Sequence, residues 1–372
     1  MDILPLIVVF LIACSGICYL TIQGIILVGL RRTERSFSNN TPFVSVIVAA
    51  RNEQASIPFL LERLLQQTYP LFEIILVNDR STDGTLAIME KFRHPNNRIK
   101  IVSIPHTNIT SSPKKNALKA AIEHSSGEIL CFTDADCLPQ KTWIEGIVRY
   151  FDDKTGLVTG PVFFHYDGPS PIRFFWDYEE FKKAIFTAGS IGWNYAWLAK
   201  GGNMAYRKKV FEEIGGFRSI EHSLGGDDDL LVQVVQRTTA WKVRYAGSPE
   251  CIVTTSPTTR LSGFLRQRRR HVSASKHYPI QLKIMLIIFH FSNLIILLNP
   301  FYTAFHPSIL FLSLFFILLK IVIDMIQLRV IGNRIMVYFP LIQYPQAEFL
   351  FLLYHFIIAP VGLLGISTWR KE

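Results

Sequence analysis

The sequence predicts an α/β domain built on a doubly wound sheet and held between membrane-spanning helices. Three observations carry that reading. The chain is too apolar for one soluble domain of average usage: of its 372 residues 49% are hydrophobic and 28 are Phe, and its mean hydropathy is +0.25. Short, near-continuous apolar runs alternate with helical patterns. Acidic residues recur where those runs end.

The apolar excess is concentrated at the two ends. Residues 3 to 30 hold no charged side chain, and about 20 apolar residues suffice to span a bilayer. A cleaved signal would open on basic residues and close on small ones, whereas this stretch opens Met1-Asp2 and ends Arg31-Arg32. It reads as an anchor. Three further apolar stretches, about 284 to 304, 308 to 328 and 341 to 366, close the chain. The expected organisation is an anchor over 1–37, a water-facing domain over 38–283 with an interfacial part at 257–283, and a C-terminal membrane region over 284–372 with about three hydrophobic segments.

Charge orients this arrangement. Arg31, Arg32 and Arg35 follow the first stretch, and Arg266, Arg268, Arg269, Arg270 and Lys276 precede the second, so the positive-inside tendency puts the domain in the cytosol of a multi-pass cell-membrane protein. The net charge of +10 then meets anionic lipid headgroups. No groove-reading motif accompanies it, and nucleic acid is not an expected partner. A complete last span would export Trp369-Arg370-Lys371; an interfacial helix around 334 to 350 would remove that conflict. The five cysteines have no metal-ligand spacing and read as reduced packing residues.

Within the water-facing part, Val44 to Ala50 and Glu73 to Val77 are apolar runs of strand length, as in strands buried on both faces of a parallel sheet. Between them, Ile57, Leu60, Leu61, Leu64 and Leu65 recur at helical spacing over 56 to 67. Ser81 or Thr82 is positioned to cap a helix from Asp83. A further helix is expected over 114 to 124, and another near Leu230. Strand, helix, strand in repetition implies right-handed crossovers, and ligands of such sheets collect at the carboxyl ends of the strands.

The chemistry-bearing residues fall at those ends. Arg51-Asn52-Glu53 follows the first run and Asn78-Asp79-Arg80-Ser81 the second. Glu53 and Asp79 are candidates to accept from a nucleobase N–H, and Lys115 could neutralise a phosphate. Asp134-Ala135-Asp136 follows the run ending at Thr133. Two carboxylates one residue apart suit a hard divalent cation, Mg²⁺ or Mn²⁺, held with a diphosphate; Asp136, with Asp134 nearby, would ligate it. In Asp227-Asp228-Asp229 each acid is crowded by like charge, which raises the pKa of Asp228 toward that of a useful base.

Together these motifs resemble family 2 glycosyltransferases with a GT-A, Rossmann-like fold, over nearly the whole water-facing segment. Ser45 to Glu53 looks like their opening strand. Val77 to Thr85 resembles their D-D-x-S-x-D-G-T element, with Asn78 where an acid is common, and Asp134 to Asp136 matches the D-x-D. Gly201 to Arg207 resembles the segment that lines the acceptor side, which implies Gly202 and Asn203 there. Asp227 and Asp228 stand where the family carries its catalytic acid pair. Gln267-Arg268-Arg269-Arg270-His271 is similar to the Q-x-x-R-W of membrane-embedded members. Gln267 and Arg270 share a helix face at i and i+3, which suits gripping the donor diphosphate. His271 replaces the tryptophan and bears on the acceptor side.

The resemblance implies an inverting transfer from a nucleotide-diphosphate sugar, UDP-linked, to a lipid or glycan acceptor in envelope or polysaccharide synthesis. Direct displacement with a single base implies inversion as well. With so few spans, a broad conduit for product would need a membrane complex or oligomer. Two other readings stand beside it: a catalytically impaired partner subunit of a polysaccharide synthase, which the lost tryptophan favours, and a nucleotidyltransferase, which would want a glycine-rich loop after the first strand.

Overall fold

The computed structural model describes residues 3–33, 37–105, 112–166, 168, 170–257 and 274–364. Arg35, the Gln267 to His271 segment and Trp369 to Lys371 lie outside them. The strands are β1 (Val44–Ala50), β2 (Phe72–Asn78), β3 (Ile99–Ser103), β4 (Ile129–Phe132), β5 (Cys137–Pro139), β6 (Thr155–Thr159), β7 (Val162–Phe164), β8 (Met204–Arg207), β9 (Lys242–Tyr245) and β10 (Val253–Thr255). The helices are α1 (Ile3–Arg32), α2 (Ile57–Leu65), α3 (Thr85–Arg93), α4 (Pro113–His124), α5 (Trp143–Val148), α6 (Arg173–Ile191), α7 (Lys208–Glu213), α8 (Asp229–Thr238), α9 (Ile280–Thr303), α10 (Pro307–Ile335) and α11 (Tyr344–Leu364).

A seven-stranded sheet runs in the order β3-β2-β1-β4-β8-β6-β9. Its first four strands are parallel. The doubly wound expectation meets one reversal: β8 is antiparallel to both β4 and β6. Phe132, the last residue of β4, pairs with Met204, the first of β8, so β8 brings its start, and the Gly201–Asn203 turn before it, to the end of the sheet where β1 and β4 finish. A smaller sheet, β5-β10-β7, flanks it.

Side chains alternate across the main sheet. Val44, Val46 and Val48 pack with Leu60, Leu61, Leu64 and Trp143 on one face. Ile47 and Ile75 face the opposite core, with Leu118, Phe181 and Leu231. Each such aliphatic burial stabilises by about 1.5–3 kcal/mol. The near-continuous apolar runs arise because both faces are covered. The α3 start is corrected: the helix opens at Thr85, while Ser81 and Thr82 bond to Asn52 instead.

Among the described residues, three helices are long and apolar enough to cross a membrane, Leu4–Arg32, Ile280–Thr303 and Pro307–Ile335. Helix α11 covers the fourth apolar stretch. The stretch around 334 to 350 is not one continuous helix: α10 ends at Ile335, Met336 takes a left-handed φ of 57°, and a 3-10 turn at Leu341–Gln343 leads straight into α11.

Helix α6 leaves the sheet and packs on these apolar helices. Its backbone touches α1, for a Cβ on Gly29 would stand 1.9 Å from the Gly189 carbonyl oxygen, and one on Gly192 2.0 Å from that of Gly29. Small residues permit such approach. Inside the bundle lies a charged cluster that the hydropathy profile hides. Lys320 Nζ contacts Asp324 Oδ2 at 2.7 Å and Glu348 Oε1 at 2.8 Å, and Lys182 of α6 reaches Asp324 Oδ1 at 3.2 Å. Tyr19 and Tyr344 donate to Asp324, and Tyr178 of α6 donates to Glu348.

Candidate active site

The first two strand ends are stitched together. Asn52 and Arg80 both take φ of 56°, a left-handed conformation that asparagine accepts more readily than most residues. Asn52 Oδ1 accepts from Thr82 N at 2.8 Å, and Asn52 N donates to Ser81 Oγ at 3.2 Å. Asp79 is buried with its Oδ1 2.8 Å from Arg80 Nη2. The backbone carbonyl of Glu53 accepts from Ser56 and Ile57 at the head of α2. Asp83, which sequence reasoning did not select as a site residue, accepts from Thr85 N, Thr85 Oγ1 and Gln54 N. Desolvation pushes its carboxyl up, but these donors prevail and hold it below the usual range.

At the end of β4, Asp134 is half-buried and Asp136 exposed. One ligand atom from each, together with Cys137 Sγ, lies within 4.8 Å of the others. Burial, reinforced by Asp136 and Asp134, pushes the Cys137 thiol well up, so it stays protonated while the two carboxylates supply hard oxygens.

The acids at 227 to 229 arrive at this point through α8. Gly226 turns the chain with φ of 77°, where a Cβ would press on Leu230. Asp228 is the N-cap: its Oδ1 accepts from Asp229 N at 2.8 Å and its Oδ2 from Gly201 N at 3.2 Å. Asp229 accepts from Ala199 N at 2.9 Å and from the Tyr278 hydroxyl at 2.7 Å. Burial and then Asp227 push Asp228 up; burial and then Asp228 push Asp229 up to about 8. Gly201 lies at the centre, because a Cβ there would stand 3.4 Å from Asp228 Oδ2, 3.4 Å from Lys114 Nζ and 3.5 Å from Asp227 Oδ2. A Cβ on Gly202 would stand 3.2 Å from Asp134 Oδ2.

Two sequence expectations are corrected. Lys115 turns away from the carboxylates and donates to the carbonyls of Ile220 and Ser223, each at 2.6 Å. The cation that meets the acids is its neighbour Lys114, 3.1 Å from Asp134 Oδ1 and 2.8 Å from Asp227 Oδ2. Both lysines flank the apolar stripe of α4, Ala117, Leu118 and Ala121, so helical phase alone does not choose between them. Asn203 is fully buried, and its amide is used in the core: Oδ1 accepts from Trp143 Nε1, and Nδ2 donates to the Pro161 and Cys251 carbonyls. It presents nothing to an acceptor. Gln267, Arg270 and His271 lie outside the described residues.

The Lys115 assignment has a measurable consequence. Lys115→Met leaves two buried carbonyls without donors, so it should cost about 1–3 kcal/mol of stability in denaturant unfolding, with UDP affinity nearly unchanged. Unaltered stability with lost UDP binding would return Lys115 to the donor site.

Residues 45–215 match the family described as Glycosyl transferase family 2. The glycosyltransferase AglE of Haloferax volcanii is 32% identical over 51% of this chain and 60% of its own length. The probable glycosyltransferase YdaM of Bacillus subtilis is 26% identical over 78% of this chain and 74% of its own. A beta-monoglucosyldiacylglycerol synthase of Nostoc sp. is 26% identical over 40% of this chain and 32% of its own length. The mannosyltransferase PcManGT from Pyrobaculum calidifontis, solved with GDP-Man and Mn²⁺, aligns over 97% of this chain and 100% of its own, with a TM-score of 0.56 at 20% identity. The fold is thus the mixed α/β fold of GT-A glycosyltransferases.

Proposed function

Residues 45–215 belong to glycosyl transferase family 2, and on that premise we propose that this chain is an inverting transferase moving a sugar from a UDP-linked donor to a lipid acceptor at the membrane. One observation carries the reading. The Lys114 ammonium joins Asp134, on the side suited to a diphosphate, to Asp227, beside the acid suited to be the base.

Asp134 and Asp136 fit a divalent cation, since they offer two carboxylates at a strand end and their sulfur neighbour stays a thiol. Bound there, Mg²⁺ or Mn²⁺ would neutralise charge on the leaving diphosphate. The remaining work falls to the chain. Asp228 takes the proton of the acceptor hydroxyl as that oxygen attacks the anomeric carbon and the bond to the diphosphate breaks from the opposite face. Lys114 adds a positive charge beside the leaving group, and Gln267 and Arg270 grip its oxygens. Glu53 and Asp79 accept from the nucleobase. Gly202, without a side chain, lets the turn before β8 pack closely against Cys137 and Asp134.

A lipid acceptor suits acids that are bonded to the approach of an apolar helix, Tyr278 before α9 donating to Asp229. Trp193, eight residues before Gly201, donates to the Ile25 carbonyl of α1 at 2.8 Å and lies under the Arg32 guanidinium at 4.1 Å. One similar protein is named for synthesis of a glucosyl lipid. The test is release of nucleotide from UDP-glucose, UDP-N-acetylglucosamine or GDP-mannose by purified protein with Mn²⁺ and a membrane lipid extract. Release from a UDP-sugar is expected, and no release from any donor overturns the reading.

The arginines at 31, 32, 35, 266 and 268 to 270 favour a cytosolic domain with Met1 outside, by the positive-inside tendency. A cysteine replacing the exposed Asn97 should therefore escape impermeant labelling from outside intact cells. Labelling there would reverse the orientation.

A further inference from the structure

Asp229 and Tyr278 make a joint between the acids and the membrane helices that the proposed chemistry does not use. Tyr278 lies two residues before α9, is buried, and stacks edge-on against Trp197 with centroids 6.2 Å apart. Its hydroxyl donates to Asp229 Oδ2 at 2.7 Å, while Ala199 N donates to Oδ1 at 2.9 Å. Trp197 is held in turn, its carbonyl accepting from Gln233 of α8 at 3.0 Å. Asp229 N donates to Asp228 Oδ1, so any movement of Asp229 displaces the carboxylate beside it.

Resting on the proposed transfer, we propose that Tyr278 is a positioning residue that fixes the Asp228-Asp229 pair relative to the membrane surface, so that the acceptor hydroxyl arrives in register with the base. The charge around the pair favours this role over simple packing. Asp229 faces Asp228 on its own helix, Lys200 from the segment before β8, and the Tyr278 hydroxyl from the head of α9; Lys200 is itself spent on Glu180 at 2.6 Å. Asp228 faces Asp227 and, across the site, Lys114. Tyr278 is therefore the one side-chain hydrogen-bond donor to Asp229 among the described residues, and it lies two residues before α9, a helix long and apolar enough to cross a membrane. The hydroxyl favours ionised Asp229, so removing it must raise that carboxyl further above its value of about 8.

Tyr278→Phe tests this, because the ring and its packing on Trp197 stay and only the donor is lost. With whichever of the three nucleotide sugars the wild type turns over, kcat for transfer to lipid should fall about tenfold. The donor KM should hold, and an alkaline inflection of kcat that is absent in Asp229→Asn should move to higher pH. An unchanged melting temperature for Tyr278→Phe shows that the fold is kept. Wild-type kcat and an unshifted pH profile in Tyr278→Phe would overturn the positioning role. Wild-type protein idle on all three donors would instead overturn the transferase reading, so the two failures are distinct.

Discussion

Asp228→Asn should keep nucleotide binding and lose turnover by about 10²–10⁴-fold, the usual contribution of a positioned base. The substitution is a clean one at this position. Asparagine caps helices about as well as aspartate, so α8 keeps its start, and its carboxamide oxygen still accepts from Asp229 N or Gly201 N. What disappears is the ability to take a proton. The raised pKa of Asp228, from burial and from Asp227, is the property of a base poised to act, and asparagine abolishes it. Asp227→Asn is the informative neighbour, because Asp227 is spent on Lys114 and should matter for donor charge more than for proton transfer. Near wild-type turnover in Asp228→Asn together with a dead Asp227→Asn would move the base one residue back.

Asp136→Ala should remove most transfer and most metal-dependent nucleotide binding. Asp136 is exposed and its carboxylate is not part of the core, so stability should stay within about 0.5 kcal/mol, the usual range for surface changes. Asp134 cannot compensate alone, because its Oδ1 already faces the Lys114 ammonium. EDTA should reproduce the loss in the wild type, and added Mn²⁺ should restore the wild type but not the variant. Full activity of either the EDTA-treated protein or Asp136→Ala would remove the metal from the mechanism.

Much of this was legible in the residues. The runs 44 to 50 and 73 to 77 are apolar on both faces because helices cover both sides of β1 and β2, and the acids that follow them fall at the carboxyl ends of these parallel strands. Where legibility stopped, long-range contact decided. Asn203 reads as a polar residue in a glycine turn, yet its partners Trp143 and Cys251 lie 60 and 48 positions away. Lys114 and Lys115 differ by one step of a helix whose stripe admits either. Tyr278 carries no motif, and its bond to Asp229 spans 49 residues. Lys320 and Asp324 sit inside a run apolar enough to mask them, and their i,i+4 contact emerges only in the structure.

The charged cluster among the apolar helices bears on how they pack together. A charged side chain at the centre of an inserting helix costs about 2.5–3.5 kcal/mol, and Lys320 and Asp324 relieve that cost within one turn of α10. Glu348 on α11 has no such internal relief. Its partners are Lys320 and Asn293 on helices inserted earlier and Tyr178 on α6, and the charge balance closes only when Lys182 of α6 also reaches the cluster. The charges on α10 and α11 are therefore matched only where α6 packs against them. A segment of 38–283 excised on its own would expose Lys182, Tyr178 and the glycine face of α6 to solvent, and would be prone to aggregate.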